Sequence, residues 1–489
     1  MPDIIQSIVF RPKRHQKYSA SLALLRSRFA GIRGICELGF QADYKSERFK
    51  MSKKIKRSAN AAFGVLLLSV VAALAAFLPG ATHAQRTQTA TVNPKSAAVV
   101  SATTEVLQET SKIRKLPVLR QVRSGAQSRA DIEKMIIKNL DEDTTPEEMR
   151  STEVALKKYG LVPADFRLRP FIVSLLAEQV AGYYDPKTQE FYLADWIDLD
   201  GQKPVMAHEL THALQDQHFN LRRFEKWPKG DSDAELAAQA LVEGDATFVM
   251  TQYIMANPLR AFAMMKSMTA GNNSTEQIDR APRALRESLL FPYDRGMKFA
   301  AQVYRKGGWE LLSKAYTDLP QSSEQILHAE KYFAREAPVK VEMRDLSSML
   351  GAGWKRTDYD VNGEWSFYLI LDEYLKAEDA SGKASAGWGG DRYALYEEPR
   401  TGGVVLAQLT AWDTEQDASE FFDAYAQRTA LRYKDAGGSN AAPGEDATLR
   451  QWQTAEGGVH MERRGARVAI LEGIPAKANA RELMKAVWQ

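Results

Sequence analysis

Apolar residues recur every three or four positions over much of the chain before residue 378, and this spacing is typical of amphipathic helices. Ile132, Met135, Ile136 and Leu140 show it most clearly. The pattern predicts a mainly helical region over residues 106–378. Within it, residues 181–193 contain two aromatic-rich runs on either side of an Asp-Pro-Lys-Thr turn, which predicts a β-hairpin.

The pattern changes at about residue 384, where short alternating runs replace the helical spacing. Together with the glycine-rich stretch 379–390, this predicts a separate C-terminal α+β domain over residues 384–489. The fold class expected for the whole chain is therefore α+β. The predicted strands are 388–396, 404–412, 449–454, 458–463 and 466–472, and the predicted helices are 414–433 and 480–488.

The N-terminal part has a different character. Residues 51–57 are basic, residues 61–78 carry no charge, and a run of small residues ends at Ala84. This order predicts a secretory signal over residues 51–84. The alternative is an uncleaved membrane anchor, because the apolar stretch is at the lower limit of spanning length.

The segments on either side of the signal have no predicted structure. Residues 1–50 fit no domain pattern, and we interpret them as an extension that results from a start codon placed too far upstream. Residues 85–105 are polar and rich in Ala and Thr, which predicts a linker. The only cysteine, Cys36, lies in the extension. The exported chain would therefore contain neither disulfides nor cysteine ligands.

The charge balance changes along the chain. Residues 1–84 hold 14 basic and 4 acidic residues, which leaves 51 basic and 58 acidic residues after them. An acidic body without basic runs argues against nucleic acid as a partner. The expected localisation is exported, either periplasmic or secreted, with membrane contact only through an uncleaved anchor.

The candidate chemistry centres on the sequence His208-Glu-Leu-Thr-His212. Positions i and i+4 of a helix lie on one face, so the two histidines can bind one metal ion. Glu209 lies beside them, in a position to act on a water molecule bound to that metal. Pro204 is typical of a helix N-terminus and is expected to start this helix.

A catalytic zinc site needs a third protein ligand. Glu243 is the first candidate, because a carboxylate within the apolar stretch Ala-Leu-Val-Glu-Gly is costly unless a metal or a partner compensates it. The neighbouring Gly244 and Ala246 would let another helix approach closely. Glu235, two turns earlier, is the alternative. Two histidines and a glutamate favour Zn²⁺ as the cofactor.

His208-Glu-Leu-Thr-His212 followed by the helical Glu243-Gly-Asp-Ala resembles the gluzincin class of zinc metallopeptidases, the thermolysin-like group. The resemblance covers roughly residues 170–335. It implies a mainly helical zincin-like domain in which residues 191–194 form an edge strand that binds the substrate backbone. Thr247 stands where the class often has an aspartate. The aspartate that supports a ligand is therefore unassigned, with Asp245 and Asp216 as candidates.

The expected function is a zinc metallopeptidase, an endopeptidase that cuts polypeptides with Glu209 as the general base. The candidate oxyanion donors are His328 and Tyr293, with Tyr183 and Tyr184 as alternatives. Two other functions stay open. One is a catalytically silent envelope binding or assembly protein that keeps the zincin fold, and the other is a zinc hydrolase of non-peptide amides. The sequence makes no prediction of oligomeric state.

Overall fold

The computed structural model describes residues 94–196, 198–224, 227–269, 276–434 and 448–489. The predicted extension and the predicted signal or anchor lie outside these residues. Within the described part of the chain, no helix is both long enough and apolar enough to cross a membrane. The fold is α+β, as predicted, and its described strands form two sheets.

Helices make up most of the residues described before position 350. In order they are α1 (Pro94–Arg114), α2 (Arg129–Asp143), α3 (Pro146–Tyr159), α4 (Leu168–Gln179), α5 (Leu199–Phe219), α6 (Ser232–Met255), α7 (Pro258–Thr269), α8 (Glu276–Arg280), α9 (Arg283–Lys314), α10 (Ser323–Leu327), α11 (Ala329–Ala334) and α12 (Ser347–Leu350). The later helices are α13 (Gly363–Leu375), α14 (Glu378–Ser385), α15 (Glu415–Arg432) and α16 (Ala480–Val487).

Helix α1 occupies the second half of the predicted linker 85–105, so the linker prediction is wrong there. Val99, Ala102 and Val106 recur at helical spacing, and all three are buried. They belong to the same apolar cluster as Leu210 of α5. Burial of this stripe explains why a segment with linker-like composition is helical.

The first sheet is small and has the order β1-β3-β2, where β1 is Arg123–Gln127, β2 is Gly182–Asp185 and β3 is Glu190–Ala194. Strands β2 and β3 are antiparallel, which confirms the hairpin. The edge-strand prediction for residues 191–194 is wrong, because β1 pairs in parallel with β3 and makes it the central strand. The edge strands of this sheet are β1 and β2, and β2 is the outer strand of the hairpin.

The second sheet has the order β4-β5-β6-β9-β8-β7, and every neighbouring pair in it is antiparallel. Its two faces are covered by different helices, since alternate residues of a strand point to opposite sides. Leu395 packs in one core with Phe421 of α15, whereas Tyr396 packs with Leu483 of α16. The strands are β4 (Lys355–Asp360), β5 (Trp388–Glu398), β6 (Gly403–Trp412), β7 (Leu449–Thr454), β8 (Gly457–Arg464) and β9 (Arg467–Ile474).

The predicted C-terminal strands and helices are therefore present, but the sheet begins before the predicted boundary at 379–390. Strand β4 precedes that boundary and pairs with β5, and α14 occupies most of the glycine-rich stretch. Polar contacts also join the helical region to this sheet, because the Tyr159 hydroxyl donates to Gln408 of β6 at 3.1 Å. Independent folding of the C-terminal part stays a prediction.

Three long helices, α5, α6 and α9, form the centre of the helical region. A Cβ atom at Gly244 of α6 would lie 2.1 Å from the carbonyl carbon of Gly296 in α9, so the two backbones touch at this crossing. The sequence-based expectation of a close helix approach at Gly244 is thus confirmed. Almost all residues from 201 to 216 of α5 are buried.

Candidate metal centre

Helix α5 carries both histidines on one face, as the motif predicts. Its N-terminus is Asp198, whose side chain accepts a hydrogen bond from the backbone N–H of Gly201. Pro204 therefore lies inside the helix, and the prediction that it starts the helix is wrong. The His208 and His212 Nε2 atoms lie 3.1 Å apart, and both side chains are buried.

Helix α6 brings Glu243 to the same point. Its Oε2 atom lies 3.1 Å from His208 Nε2 and 3.3 Å from His212 Nε2. Glu235 is not part of this group, which consists of His208, His212 and Glu243, all buried and with ligand atoms within 4.8 Å of one another. The crossing at Gly244 holds this turn of α6 against α9 and close to the histidines.

These three side chains form a donor set that suits zinc, since imidazole nitrogens with one carboxylate oxygen are typical catalytic zinc ligands. Burial alone would lower the pKa of His212, but the Glu243 carboxylate raises it to about 9. Burial would raise the pKa of Glu243, yet His212 lowers it to about 2. Burial lowers the pKa of His208. The carboxylate thus stays ionised and favours positive charge at this point, which a metal ion would supply.

Gln215 sets the tautomer of His212. The Gln215 amide nitrogen donates to the Val242 carbonyl at 3.0 Å, so the amide oxygen faces the ring and accepts from His212 Nδ1 at 2.8 Å. A proton on Nδ1 leaves the lone pair of Nε2 free for a metal. The sequence analysis missed Gln215, although its position three residues after His212 on the same helix could have indicated it.

Asp245 holds the Gln215 side chain in place through a hydrogen bond. Its Oδ2 atom accepts from the Gln215 amide nitrogen at 3.1 Å and from the Tyr316 hydroxyl at 2.9 Å. Its Oδ1 atom accepts from Arg114 Nε at 2.7 Å. Of the two candidate supporting aspartates, Asp245 therefore reaches a ligand, through Gln215. Asp216 instead accepts from the Tyr184 hydroxyl at 2.9 Å. Arg114 and Tyr316 were also missed from the sequence.

Glu209 is fully buried beside the three ligand side chains. Its Oε2 atom accepts from the backbone N–H of Tyr184, in β2, at 3.1 Å. Its Oε1 atom has no hydrogen-bond partner among the described residues. Burial raises the pKa of Glu209 to about 8. A buried carboxylate oxygen without a partner is costly, so this atom fits a water molecule or a substrate group at the centre.

Tyr293 of α9 lies at the centre, as one of the predicted oxyanion donors. Its ring centroid is 6.0 Å from that of His208. Burial raises the pKa of the Tyr293 phenol well above its usual value, and the nearby Glu243 and Glu209 raise it further. The hydroxyl is therefore neutral and able to donate a hydrogen bond. In β2, by contrast, the Tyr183 and Tyr184 hydroxyls point to Gln127 and Asp216, and only the Tyr184 backbone reaches Glu209.

His328 lies elsewhere, so the structure gives no support for it as an oxyanion donor. It ends α10, and its Nε2 atom bonds Glu364 of α13 at 2.9 Å. The Glu364 bond raises the pKa of His328. The imidazole thus takes part in a local ion pair away from the ligands.

A cavity of about 540 Å³ opens beside the centre. Its walls come from helices α2 to α4, α6 and α9 and the segment after α5. Glu243 and Tyr293 belong to both the cavity lining and the centre, and Glu235 lines the cavity as well. Most of the other lining side chains are apolar, and they include Leu140, Phe171, Leu175, Trp227, Leu236 and Leu289.

Comparison with known proteins covers only the C-terminal part. A family model described as a domain of unknown function, DUF8575, matches residues 349–484. The matched range includes β4, in agreement with a sheet that begins before residue 379, and it excludes the candidate metal centre. No curated protein matches the chain. No solved structure matches it either.

Proposed function

We propose that the protein is a zinc-dependent endopeptidase with a zincin-like helical core. The observation that carries the proposal is the convergence of His208, His212 and Glu243 from two buried helices, next to a glutamate with one unpaired oxygen. A zinc ion bound by these ligands would supply the positive charge that lowers the pKa of a water molecule and polarises a peptide carbonyl. The proposed exported location rests on residues 51–84 of the sequence.

Glu209 acts as the general base and then as the general acid. Its Oε1 atom takes a proton from the attacking water, and the same carboxyl delivers it to the leaving amine. The Tyr184 N–H holds the other oxygen in place. Burial raises the pKa of Glu209 to about 8 in the metal-free protein, and the positive charge of a bound zinc ion would lower it towards the range in which the carboxylate can accept a proton and release it again.

Tyr293 and β2 position the substrate in this proposal. The neutral Tyr293 hydroxyl donates to the oxygen that gains negative charge during the reaction. The outer edge of β2 faces Glu209 through the Tyr184 N–H. A polypeptide that pairs with this edge as an added strand would therefore bring a peptide bond close to Glu209.

The test is hydrolysis of casein by the zinc-loaded protein, compared with the Glu209→Gln variant. We expect a loss of about 10²- to 10⁴-fold in the variant, the range typical of general acid–base catalysis. Zinc content measured by mass spectrometry should be equal in the two proteins. A wild-type protein that binds zinc but cleaves neither casein nor a mixture of unstructured peptides would refute the peptidase proposal and favour a binding protein.

A further inference from the structure

Glu235 is an ionisable side chain without a role in the centre. It lies in the first turn of α6 and lines the same cavity as Glu243. Among the residues that the structure describes as lining this cavity, Glu235 and Glu243 are the charged ones, and neither Lys nor Arg occurs there. The cavity therefore combines an apolar wall with negative charge at two places.

No cation of the described chain compensates Glu235. Its carboxylate forms neither a hydrogen bond nor an ion pair there, and burial raises its pKa, with the negative charge of Asp360 adding to the effect. A carboxylate partly withdrawn from water and without a partner is unfavourable. A cationic group of a ligand would remove that cost. Glu243 differs in this respect, because the two histidines already face it.

The distance between the two carboxylates suits a peptide. Glu235 and Glu243 are eight residues apart on one helix, so their Cα atoms are separated by about 12 Å along its axis. An extended peptide advances about 3.3 Å per residue. A basic side chain within about four residues of the bond being cut can therefore reach Glu235 while that bond lies at the centre.

We propose that the cavity is a specificity subsite for polypeptide segments that carry apolar side chains next to the scissile bond and a Lys or Arg side chain within about four residues of it. The apolar walls bind the apolar side chains, and Glu235 binds the basic one. This inference rests on the proposed peptidase function, because the centre defines where the scissile bond lies.

The test uses ten-residue peptides with Leu and Phe around one cleavable bond and a single Lys, moved in turn through the four positions on each side. Each peptide is paired with one that has Gln in place of Lys. At the best position we expect the zinc-loaded protein to prefer Lys about ten- to hundredfold in kcat/KM, the effect of a charge-assisted hydrogen bond. Replacing Leu and Phe by Ser should lower cleavage of every peptide.

The Glu235→Gln variant should lose the preference for Lys, measured as the ratio of kcat/KM on each Lys peptide to that on its Gln partner. The matched control is Glu133→Gln, which removes an exposed carboxylate of α2 outside the cavity lining. Equal Lys preference in the wild type and in Glu235→Gln would overturn the proposal, and so would the same loss in the control.

Peptide binding separates this inference from the proposed function. Fluorescence anisotropy with the zinc-loaded Glu209→Gln protein measures binding without turnover. A Lys preference in binding that disappears in the Glu209→Gln/Glu235→Gln double variant supports the subsite even if the wild type cleaves nothing. Cleavage without any Lys preference supports the peptidase and refutes the subsite.

Discussion

The candidate metal centre and the ion-pair cluster around Glu472 are two groups of ionisable side chains, both withdrawn from water. In the Glu472 cluster both carboxylate oxygens are satisfied, since Oε1 accepts from Arg428 at 2.7 Å and Oε2 from Arg432 at 3.1 Å. Arg428 also donates to the Tyr159 carbonyl of α3. In the candidate metal centre, His208 Nδ1 and Glu209 Oε1 have no partner among the described residues, and in the Glu472 cluster the same holds for Arg428 Nε.

Both oxygens of Glu472 are thus satisfied and one oxygen of Glu209 is not, which is the difference we expect between a structural charge cluster and one arranged for chemistry. Both clusters bear the cost of moving charge away from water. The Glu472 cluster recovers much of that cost through its own hydrogen bonds and ties α3 to α15 and β9. In the candidate metal centre, by contrast, Glu209 Oε1 stays without a partner among the described residues, so a water molecule or a substrate group would be needed to complete its interactions. A variant in the candidate metal centre should therefore change metal binding, whereas a variant in the Glu472 cluster should change the free energy of unfolding.

The largest expected effect is the loss of the metal in Glu243→Ala. About one zinc per chain should bind to the wild type, as for a catalytic site with three protein ligands, and close to none to the variant after dialysis. Mass spectrometry of the metal content measures this. Glu235→Ala is the matched control on the same helix, and it should keep its zinc. Loss of zinc in Glu235→Ala with retention in Glu243→Ala would reverse the assignment.

The Glu472→Ala variant should instead destabilise the fold. It leaves the fully buried Arg428 without its carboxylate, which typically costs about 3–5 kcal/mol of unfolding free energy. Urea denaturation measures the change. The double variant Arg428→Met/Glu472→Leu removes both charges and should recover most of the loss. A cost below about 1 kcal/mol for Glu472→Ala would mean that the cluster contributes little, as surface pairs do.

A smaller effect is expected for Gln215→Ala, which removes the acceptor at His212 Nδ1. Loss of such a supporting contact typically lowers metal affinity about 10- to 100-fold, and competition with a chelator of known affinity measures it. Gln217→Ala is the control, because Gln217 lies on the same helix but bonds Leu119 and Arg120 at the surface. Unchanged affinity in Gln215→Ala would remove Gln215 from the ligand-orienting role.

The last expected effect concerns the pH dependence of stability in the metal-free protein. The pKa of Glu209 rises from 4.5 to about 8 on burial, so the unfolded chain releases this proton first as the pH increases. Glu209 therefore lowers stability progressively between about pH 4.5 and 8, with no further change above that. Metal-free Glu209→Gln should gain thermal stability relative to the wild type across this window. A difference in Tm that stays constant from pH 4.5 to 8 would contradict the shift.

Much of the α+β fold was predictable because its elements have strong local patterns. The hairpin around Asp185 and the strands after residue 388 have aromatic and β-branched residues at strand spacing, and they appear close to the expected positions. Strands β1 and β4 were missed, since Arg-Ser-Gly-Ala-Gln and Lys-Arg-Thr-Asp-Tyr-Asp have no alternation of apolar and polar residues. They are strands because a neighbouring strand offers hydrogen-bond partners.

The candidate site also contains residues that local sequence spacing predicts and residues that it does not. His208 and His212 meet because the helix period alone places positions i and i+4 together, and a sequence is enough to predict this. Tyr293 and His328 were both predicted from residue type, yet only Tyr293 lies beside the centre. A sequence contains no information on the direction in which a single distant side chain points.

The sequence by itself determined the paired histidines, the adjacent Glu209 and the helical or strand character of most segments, because these depend on interactions between near neighbours in the chain. Only the tertiary structure decided between Glu243 and Glu235. The backbone contact between Gly244 and Gly296 holds the turn of α6 that carries Glu243 against α9. The earlier turn of α6 that carries Glu235 lines a cavity instead. Packing between distant helices sets which carboxylate reaches the histidines, and that packing depends on the shapes of both surfaces at once.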